Sequence, residues 1–250
     1  MLELKADSSR AEGSQSGKGI TRRGFLRGLS LISLLSLAGP GLMQACKLPV
    51  DNATTAPAAS PLDKTASTPG TTGQATLTEA LKNRKSAGSF QTNPIPREML
   101  LELLCAAWGI NRPDSGKRTA PSAMNAQEID VYVLLPDGAY KYDAGANQLQ
   151  SVLAGDIRSK ATTRGILLAA HAQLIYVADY SKLRVGSQAE REQWSACHTG
   201  FIGQNVYLYC AANGLGARFY AGVNRDALRD PLQLRKDQGI VFAQAVGYSA

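Results

Sequence analysis

Residues 47–76 divide this 250-residue chain, because they cannot contribute to a hydrophobic core. The segment is rich in threonine, alanine, proline and serine, and it has almost no large apolar residue. Such a composition buries too little surface to offset the entropy lost on folding, so we expect a disordered tether. Folding is therefore confined to residues 77–250, a length typical of one domain with its own core.

A twin-arginine export signal is predicted in residues 1–46. Arg22 and Arg23 are adjacent, and residues 29–38 form a short apolar run interrupted by serines. A basic segment followed by such a run is typical of an export signal, and the run is shorter than the about 20 apolar residues of a membrane-spanning helix. The alternative, a basic turn before a buried helix, fits the N-terminal position less well. We therefore expect the export machinery as a partner, and a location in the periplasm or on the outer face of the membrane.

Cys46 is a candidate lipidation site at the end of this signal. Ala45 is the kind of small residue that precedes a lipidated cysteine, whereas Met43 and Gln44 are unusual at their positions. Cleavage elsewhere, which would release a soluble protein, is the alternative, and the residues do not decide between the two. A lipid on Cys46 would keep the domain near a membrane, because a flexible tether of about 30 residues reaches roughly 30 Å.

Charge and metal-ligand patterns exclude two classes of function. The net charge is +7, of which residues 1–46 supply +3 from six Lys/Arg and three Asp/Glu, and the remaining basic residues are scattered. No nucleic-acid-binding surface is therefore predicted. The four cysteines and two histidines show no metal-ligand spacing, so no metal site is expected either. Cys197 and His198 are adjacent in the sequence, and adjacent residues on a helix point in different directions, which argues against a nucleophile–base pair.

Helical and strand patterns are mixed without strict alternation, which predicts an α+β domain. The spacing of apolar residues predicts helices from Leu77 to before Gly88, from Pro96 to Trp108, over 157–171, over 201–212 and around 226–232. Alternation predicts strands over 129–135, around 140–142, and over 174–178, 218–223 and 240–246. Pro136-Asp137-Gly138 predicts a hairpin between the first two of these strands.

Three stretches carry side chains or backbone suited to a ligand with a phosphate and a flat ring. Arg84, Lys85 and Ser86 offer two cations and a hydroxyl, donors that match phosphate oxygens. Residues 116–127 place hydroxyl and amide groups on one loop, which can read the edge of a heteroaromatic ring. Residues 213–217 contain glycines that permit close backbone approach to a flat ligand. The alternatives are a solvated helix end, a capped turn and an ordinary helix C-terminus.

Together these stretches resemble the nitroreductase family of flavin-dependent oxidoreductases over about residues 77–248. The matching pieces occur in family order, and no single one is decisive. They are residues 81–86 with Phe90, Ile95-Pro96 with the helix 100–108, 109–112, 118–123 with Asn125, 203–205, 214–216 and 245–248. The hairpin at residues 137–143 looks most like the branch that includes the thiazoline-forming dehydrogenases.

The resemblance implies a nitroreductase-like mixed sheet packed between helices, in an intertwined homodimer with one FMN at each subunit interface. Arg84 and Ser86 would hold the phosphate and ribityl chain, with Lys85 as a further phosphate ligand. The side chains that face the flavin ring would come from the other subunit, and they are Pro121, Ser122, Ala123 and Asn125. The backbone of Leu215 and Gly216 would approach the flavin, and Lys117 or Arg118 would place positive charge near its N1 and O2 atoms.

Two departures from the family pattern predict weaker FMN binding. The family has a second Arg or Lys two residues after the serine of its first motif, where this chain has Gly88. The family also commonly has a basic tail after the closing Gly-Tyr, where only Ser249 and Ala250 follow here. Each change removes an expected phosphate ligand.

We therefore expect an exported FMN-dependent oxidoreductase that transfers hydride or electrons to or from a small organic substrate by a ping-pong mechanism. Two alternatives stay open: a non-catalytic flavin- or small-molecule-binding module of the same fold, and a tethered partner of another redox protein. The residues do not identify the substrate.

Overall fold

The structure is a computed structural model that describes residues 75–250. The predicted export signal, Cys46 and most of the predicted tether fall in residues 1–74 and lie outside the described residues. The helices are α1 (Leu77–Asn83), α2 (Arg97–Trp108), α3 (Arg158–Ala161), α4 (Gly165–Leu168), α5 (Gln188–Ala212) and α6 (Arg225–Arg229). The strands are β1 (Ile110–Arg112), β2 (Lys117–Arg118), β3 (Ile129–Leu135), β4 (Gly138–Asp143), β5 (Gln148–Ala154), β6 (Ala172–Asp179), β7 (Leu215–Tyr220) and β8 (Gln238–Tyr248).

A six-stranded sheet in the order β5-β4-β3-β6-β8-β7 forms the centre of the domain. All pairings between these strands are antiparallel. Ser86 adds an isolated parallel bridge to Ala217 on the edge strand β7, so the sheet has a mixed edge. The remaining strands, β1 and β2, form a separate antiparallel ribbon. The α+β class predicted from the sequence is confirmed.

Helices cover both faces of this sheet. Val131 and Val133 of β3 belong to one core cluster, which includes residues of α2 and α5. Tyr132 and Leu134, which point the opposite way along the same strand, belong to a second cluster with residues of α3, α4 and α6. Apolar side chains on both faces of a central strand require cover on both sides. The predicted packing of the sheet between helices is therefore confirmed.

Helix α5 is twice as long as the sequence pattern predicts. It begins with a capping box in which Ser187 accepts a hydrogen bond from the Glu190 backbone and Glu190 accepts from the Ser187 backbone. Its first half buries Ser195, His198 and Thr199, so an apolar pattern appears only in its second half. Gly203 permits close packing, because a Cβ there would lie 2.7 Å from the Phe219 ring. This helix carries His198 and Tyr207, which contact the predicted ring-facing residue Ala123 and the predicted phosphate ligand Ser86, respectively.

Other boundaries differ from prediction for local reasons. Strand β5 was not predicted, because most of its side chains are exposed at the sheet edge and show little alternation. The helix predicted over 157–171 is two short helices, separated where Thr162 is extended and accepts a hydrogen bond from the Arg164 backbone. Helix α1 ends at Asn83, before Gly88 as predicted, since Arg84 has φ −58° and ψ 121°. Strand β7 begins at Leu215, directly after the turn at Gly214, and not at Arg218.

Residues 75–250 contain neither a candidate membrane span nor a candidate metal-binding cluster. No helix in this range combines the length and apolarity that crossing a membrane requires. Within the same range, His, Cys, Asp and Glu side chains do not gather in groups of three or more around a position for a metal ion.

Candidate functional site

The segment after α1 is extended and fixed to the edge of the sheet. The backbone nitrogen of Ala87 donates to the carbonyl of Ala217 at 2.9 Å, next to the parallel bridge between Ser86 and Ala217. Arg218 Nη1 donates to the Ala87 carbonyl at 3.0 Å. These contacts hold the predicted phosphate ligands beside β7, where the predicted backbone contacts of Leu215 and Gly216 also lie.

Tyr207 of α5 connects two of the predicted phosphate ligands. The guanidinium carbon of Arg84 lies 5.3 Å from the centre of the Tyr207 ring, and Ser86 Oγ lies 2.9 Å from Tyr207 Oη. The Phe219 backbone nitrogen donates to the same hydroxyl oxygen at 2.8 Å. Tyr207 Oη therefore accepts from Phe219 and shares a hydrogen bond with Ser86 in which either hydroxyl can donate. When Tyr207 is the donor, the Ser86 hydroxyl hydrogen is available to a ligand oxygen.

A cleft of about 170 Å³ opens at this place, and we call it the phosphate-side cleft. Arg84 and Lys85, beside it, form no ion pair within residues 75–250, so two positive charges there lack an anionic partner. Gly216 has no room for a side chain, because a Cβ would collide with Ser249 Oγ and lie 3.0 Å from the Ala87 Cβ. Cations that form no ion pair within the described residues and a nearby serine hydroxyl fit a phosphate group. The residues that line the cleft are Asn83, Lys85, Tyr207, Cys210, Ala211, Gly214, Leu215, Gly216, Ala217 and Ser249.

The second predicted group lies on residues 118–127, which we call the ring-side loop. Met124, Asn125 and Gln127 have φ angles of 52°, 53° and 50°, in the left-handed region that non-glycine residues avoid. Each such residue costs about 1–3 kcal/mol and persists only where its surroundings enforce it. A loop with three such residues is typical of a binding or catalytic segment.

Gln127 and Arg118 hold this loop from one side. The Gln127 backbone donates to Ser122 Oγ at 3.0 Å, and its side chain donates to the Gly116 carbonyl at 2.9 Å. Arg118 Nε donates to Gln127 Oε1 at 2.8 Å. The predicted ring-facing residues Pro121, Ser122, Ala123 and Asn125 are thereby brought together on one turn.

Arg118 is largely engaged within its own chain. Its Nη1 donates to the Trp108 carbonyl at 2.8 Å, and its guanidinium carbon lies 4.8 Å from the centre of the Trp108 ring. Burial lowers the pKa of Arg118 below the usual value for arginine. Only Nη2 of its guanidinium has no partner within the described range, so Arg118 supports the loop more than it offers charge to a ligand. Lys117 is exposed and is the freer of the two cations.

His198 holds the loop from the other side. The Ala123 backbone nitrogen donates to His198 Nε2 at 2.9 Å, and His198 Nδ1 lies 2.6 Å from Glu128 Oε1. His198 and Glu128 are buried, whereas Cys197 is exposed. The two neighbouring side chains therefore lie in different surroundings. Sequence reasoning missed the contact with Ala123, which joins residues 75 positions apart.

The two halves of the site are separate within one chain. No hydrogen bond in the described part of the chain joins Arg84, Lys85 or Ser86 to the ring-side loop. Both halves contact α5, where His198 and Tyr207 are about 13 Å apart along the helix axis. A second cleft, of about 490 Å³, opens beside the ring-side loop and is lined by Met124, Asn125, Ala126, Ser181, Lys182 and Arg184.

Comparison with known proteins identifies the fold and the family. The sequence profile of the nitroreductase family matches residues 81–248. The chain belongs to the nitroreductase family. Members of this family are generally flavin-dependent oxidoreductases, and the match spans both halves of the site.

Solved structures agree with this assignment. A candidate nitroreductase from Ralstonia eutropha JMP134 shares 37% sequence identity with this chain at a TM-score of 0.67, over 74% of this chain and 88% of that one. The Escherichia coli microcin synthetase McbBCD complex contains a chain with 18% identity and a TM-score of 0.58, over 75% and 79% of the two chains. A candidate NAD(P)H:FMN oxidoreductase from Staphylococcus epidermidis ATCC 12228 has 17% identity and a TM-score of 0.55, over 72% and 90%. The last two show similarity of fold alone. No curated protein sequence matches this chain.

Proposed function

We propose that this protein is an FMN-dependent oxidoreductase that works as a homodimer. The observation that carries the proposal is the phosphate-side cleft, where Arg84 and Lys85 have no anionic partner within residues 75–250 and the Ser86 hydroxyl lies beside Tyr207. Membership of the nitroreductase family supports flavin as the ligand.

The phosphate-side cleft would hold the phosphate and the ribityl chain. Arg84 supplies a guanidinium whose position is limited by stacking on Tyr207, and Ser86 supplies a hydroxyl whose position is limited by its hydrogen bond with Tyr207. Lys85 lines the cleft and supplies a second positive charge. The backbone of Leu215 and Gly216 lies at the same place, and the absence of a side chain at Gly216 lets two backbone segments pack closely.

The ring-side loop would face the flavin bound mainly by the other subunit. Its separation from the phosphate-side cleft within one chain supports this arrangement, because one chain alone does not bring the two halves together. Pro121, Ser122, Ala123 and Asn125 would pack against the ring, and Lys117 would supply charge near its N1 and O2 atoms. Bound FMN supplies hydride transfer, and the protein binds and orients both the cofactor and the substrate.

The substrate in this proposal is a small organic molecule that gives or takes hydride in a ping-pong cycle. The thiazoline-forming branch is our first choice within the family, because the fold resembles a chain of the microcin synthetase complex as well as the nitroreductases. A non-catalytic flavin-binding module is the second candidate. Gly88 favours it, since this position lacks the cation that the family pattern has.

We also propose that the protein is exported by the twin-arginine route to the periplasm or the outer face of the membrane. Arg22 and Arg23 before a short apolar run support this proposal. A lipid on Cys46 would add a membrane tether. Membrane fractionation of Cys46→Ala beside the unmodified sequence tests the tether, because only a lipid-anchored protein would move to the soluble fraction.

The absorption spectrum of the purified protein tests the central proposal. We expect a yellow protein, FMN in the supernatant after denaturation at close to one per subunit, and a dimer by light scattering. Bleaching by a chemical reductant, followed by reoxidation with a quinone or nitro compound, distinguishes an enzyme from a binding module. A colourless protein that takes up no added FMN would contradict the proposal.

A further inference from the structure

A buried carboxylate and a buried imidazole lie against the ring-side loop. Glu128, directly before β3, is 0% exposed, and His198 on α5 is 5% exposed. Their hydrogen bond of 2.6 Å is the only one that the Glu128 side chain makes within residues 75–250, because Glu128 Oε2 has no partner there. Burying a carboxylate is unfavourable, and an apolar pair of similar volume often serves stability as well or better. The pair therefore calls for an explanation other than core stability.

The two hydrogen bonds of His198 together fix its tautomer. The Ala123 backbone nitrogen can only donate, so His198 Nε2 must accept and carries no hydrogen. A neutral imidazole then has its hydrogen on Nδ1, from which it donates to Glu128 Oε1. Glu128 therefore selects the tautomer that Ala123 requires, as a carboxylate does for a metal-bound histidine.

The hydrogen bond from Ala123 to His198 lies next to the most strained residues of the ring-side loop. Ala123 directly precedes Met124 and Asn125, which both have left-handed φ angles. Ser122 and Gln127 fix the other end of the same turn through the hydrogen bond from Gln127 N to Ser122 Oγ. Without an acceptor for Ala123, this turn would lose its attachment to α5 and relax toward ordinary backbone angles.

His198 is not placed to act as a general base. Its Nε2 atom is already occupied by a backbone donor, its Nδ1 atom faces Glu128, and the ring is buried. Neither nitrogen is available to a substrate proton.

We propose that Glu128 and His198 are positioning residues that lock the ring-side loop in its ligand-facing conformation. Glu128 fixes the His198 tautomer, and His198 fixes the Ala123 backbone and thereby the left-handed residues that follow. The identity of the ligand as flavin rests on the proposed function, whereas the locking itself does not.

Nuclear magnetic resonance of the FMN-free full chain tests the locking directly. The chain has only two histidines, so the imidazole nitrogen signals of His198 can be assigned with a His171→Asn variant. We expect His198 to have an unprotonated Nε2 and a protonated Nδ1 at neutral pH. A hydrogen on Nε2 in the neutral form would overturn the proposal.

Three variants separate the acceptor from the rest of the side chain. His198→Asn keeps a donor toward Glu128 but has no group at the Nε2 position, and we expect the Ala123 amide to exchange at least about tenfold faster. The double variant His198→Gln with Glu128→Gln places an amide oxygen near the former Nε2 position, where it can accept from the Ala123 amide. It also removes the carboxylate that would otherwise be buried without a partner, so exchange of the Ala123 amide should become slow again. Glu128→Gln alone permits the wrong tautomer and should give an intermediate rate. His171→Asn is the matched control, because the His171 side chain makes no hydrogen bond in the described part of the chain.

FMN titration of the same proteins links the loop to the ligand. We expect the FMN Kd to rise about tenfold in His198→Asn and to recover in the double variant, with His171→Asn unchanged. Equal Ala123 exchange in His198→Asn and the unmodified chain would overturn the locking. Faster exchange in His198→Asn while no form of the protein binds FMN would support the locking and contradict the proposed function instead.

Discussion

Tyr207 Oη lies 2.9 Å from Ser86 Oγ and joins residues that are 121 positions apart in the sequence. The same Tyr207 oxygen accepts a hydrogen bond from the Phe219 backbone at 2.8 Å. The hydrogen bond to Tyr207 therefore limits the positions that the Ser86 side chain can take. A restriction of this kind lowers the entropy lost when a ligand binds.

Removal of the Tyr207 hydroxyl should weaken FMN binding without disturbing the fold. In Tyr207→Phe, Ser86 loses its partner and the Phe219 backbone nitrogen loses its acceptor, while the ring under Arg84 remains. One net hydrogen bond is about 0.5–1.5 kcal/mol, so we expect the Kd of FMN to rise about 2- to 13-fold. Fluorescence titration of FMN-free protein measures this change.

Tyr209→Phe is the control for this prediction. Tyr209 lies on the same helix and donates to Glu102 instead, and it does not line the phosphate-side cleft. An equal loss of FMN affinity in Tyr207→Phe and Tyr209→Phe would show that the Tyr207 hydroxyl does not contribute specifically to FMN binding.

Arg84→Ala should abolish retention of FMN through gel filtration. A hydrogen bond to a charged group is about 1.5–3 kcal/mol, which corresponds to a loss of affinity of about 10- to 100-fold. Arg97→Ala is a matched control, because Arg97 also lies over a tyrosine ring, 4.7 Å from the centre of Tyr140, whereas the tyrosine under Arg84, Tyr207, lines the cleft and Tyr140 does not. If the unmodified protein and Arg84→Ala bind FMN equally well, the phosphate lies elsewhere.

Gly88→Arg should strengthen FMN binding. The structure removes the main obstacle to this substitution, since Gly88 does not have a left-handed φ and an added Cβ would meet no atom within 4 Å. A cation at this position restores the charge of the family pattern, so we expect a Kd about tenfold lower.

Gly88→Gln is the control for that gain, since it adds a long side chain without charge. The gain from arginine should also shrink with rising salt, because an exposed charge is screened. Equal affinity of the two variants would show that charge at position 88 does not reach the phosphate.

Local patterns predicted most of the sheet and the main helices, because alternation and helical spacing are local properties. Strand β3 and the hairpin into β4 were recognised in this way. Helix α5 was half missed because Ser195, His198 and Thr199 are polar yet buried, although the Ser187 and Glu190 capping box signals its start. Tyr207 and Glu128 were missed as site residues because their partners are distant in the sequence, and no local pattern marks such contacts.

Acid should destabilise the domain partly through Asp179. Burial alone would raise the pKa of Asp179, but hydrogen bonds from Ser181 and Arg235 outweigh it and hold the pKa below its usual value. A lowered native pKa gives stability that is present above the unfolded value, near 3.9, and lost as pH falls through the native value. At pH 6 the free energy of unfolding in urea should therefore be higher for the unmodified protein than for Asp179→Asn. This difference should shrink below about pH 4. Asp114→Asn, at an exposed position with no ion pair in residues 75–250, should show no such trend.

Export should depend on the identity of Arg22 and Arg23 and not on their charge. The double variant Arg22→Lys with Arg23→Lys keeps both charges, but a receptor that reads the arginine pair distinguishes guanidinium from ammonium. We expect this variant to remain in the cytoplasm while the unmodified protein reaches the periplasm or membrane fraction, as measured by fractionation and immunoblotting. Arg10→Lys with Arg27→Lys makes equally conservative changes outside the pair and should leave export unchanged. Normal export of the Arg22 and Arg23 double variant would show that the apolar run directs the chain by another route, or that the pair is an ordinary basic segment.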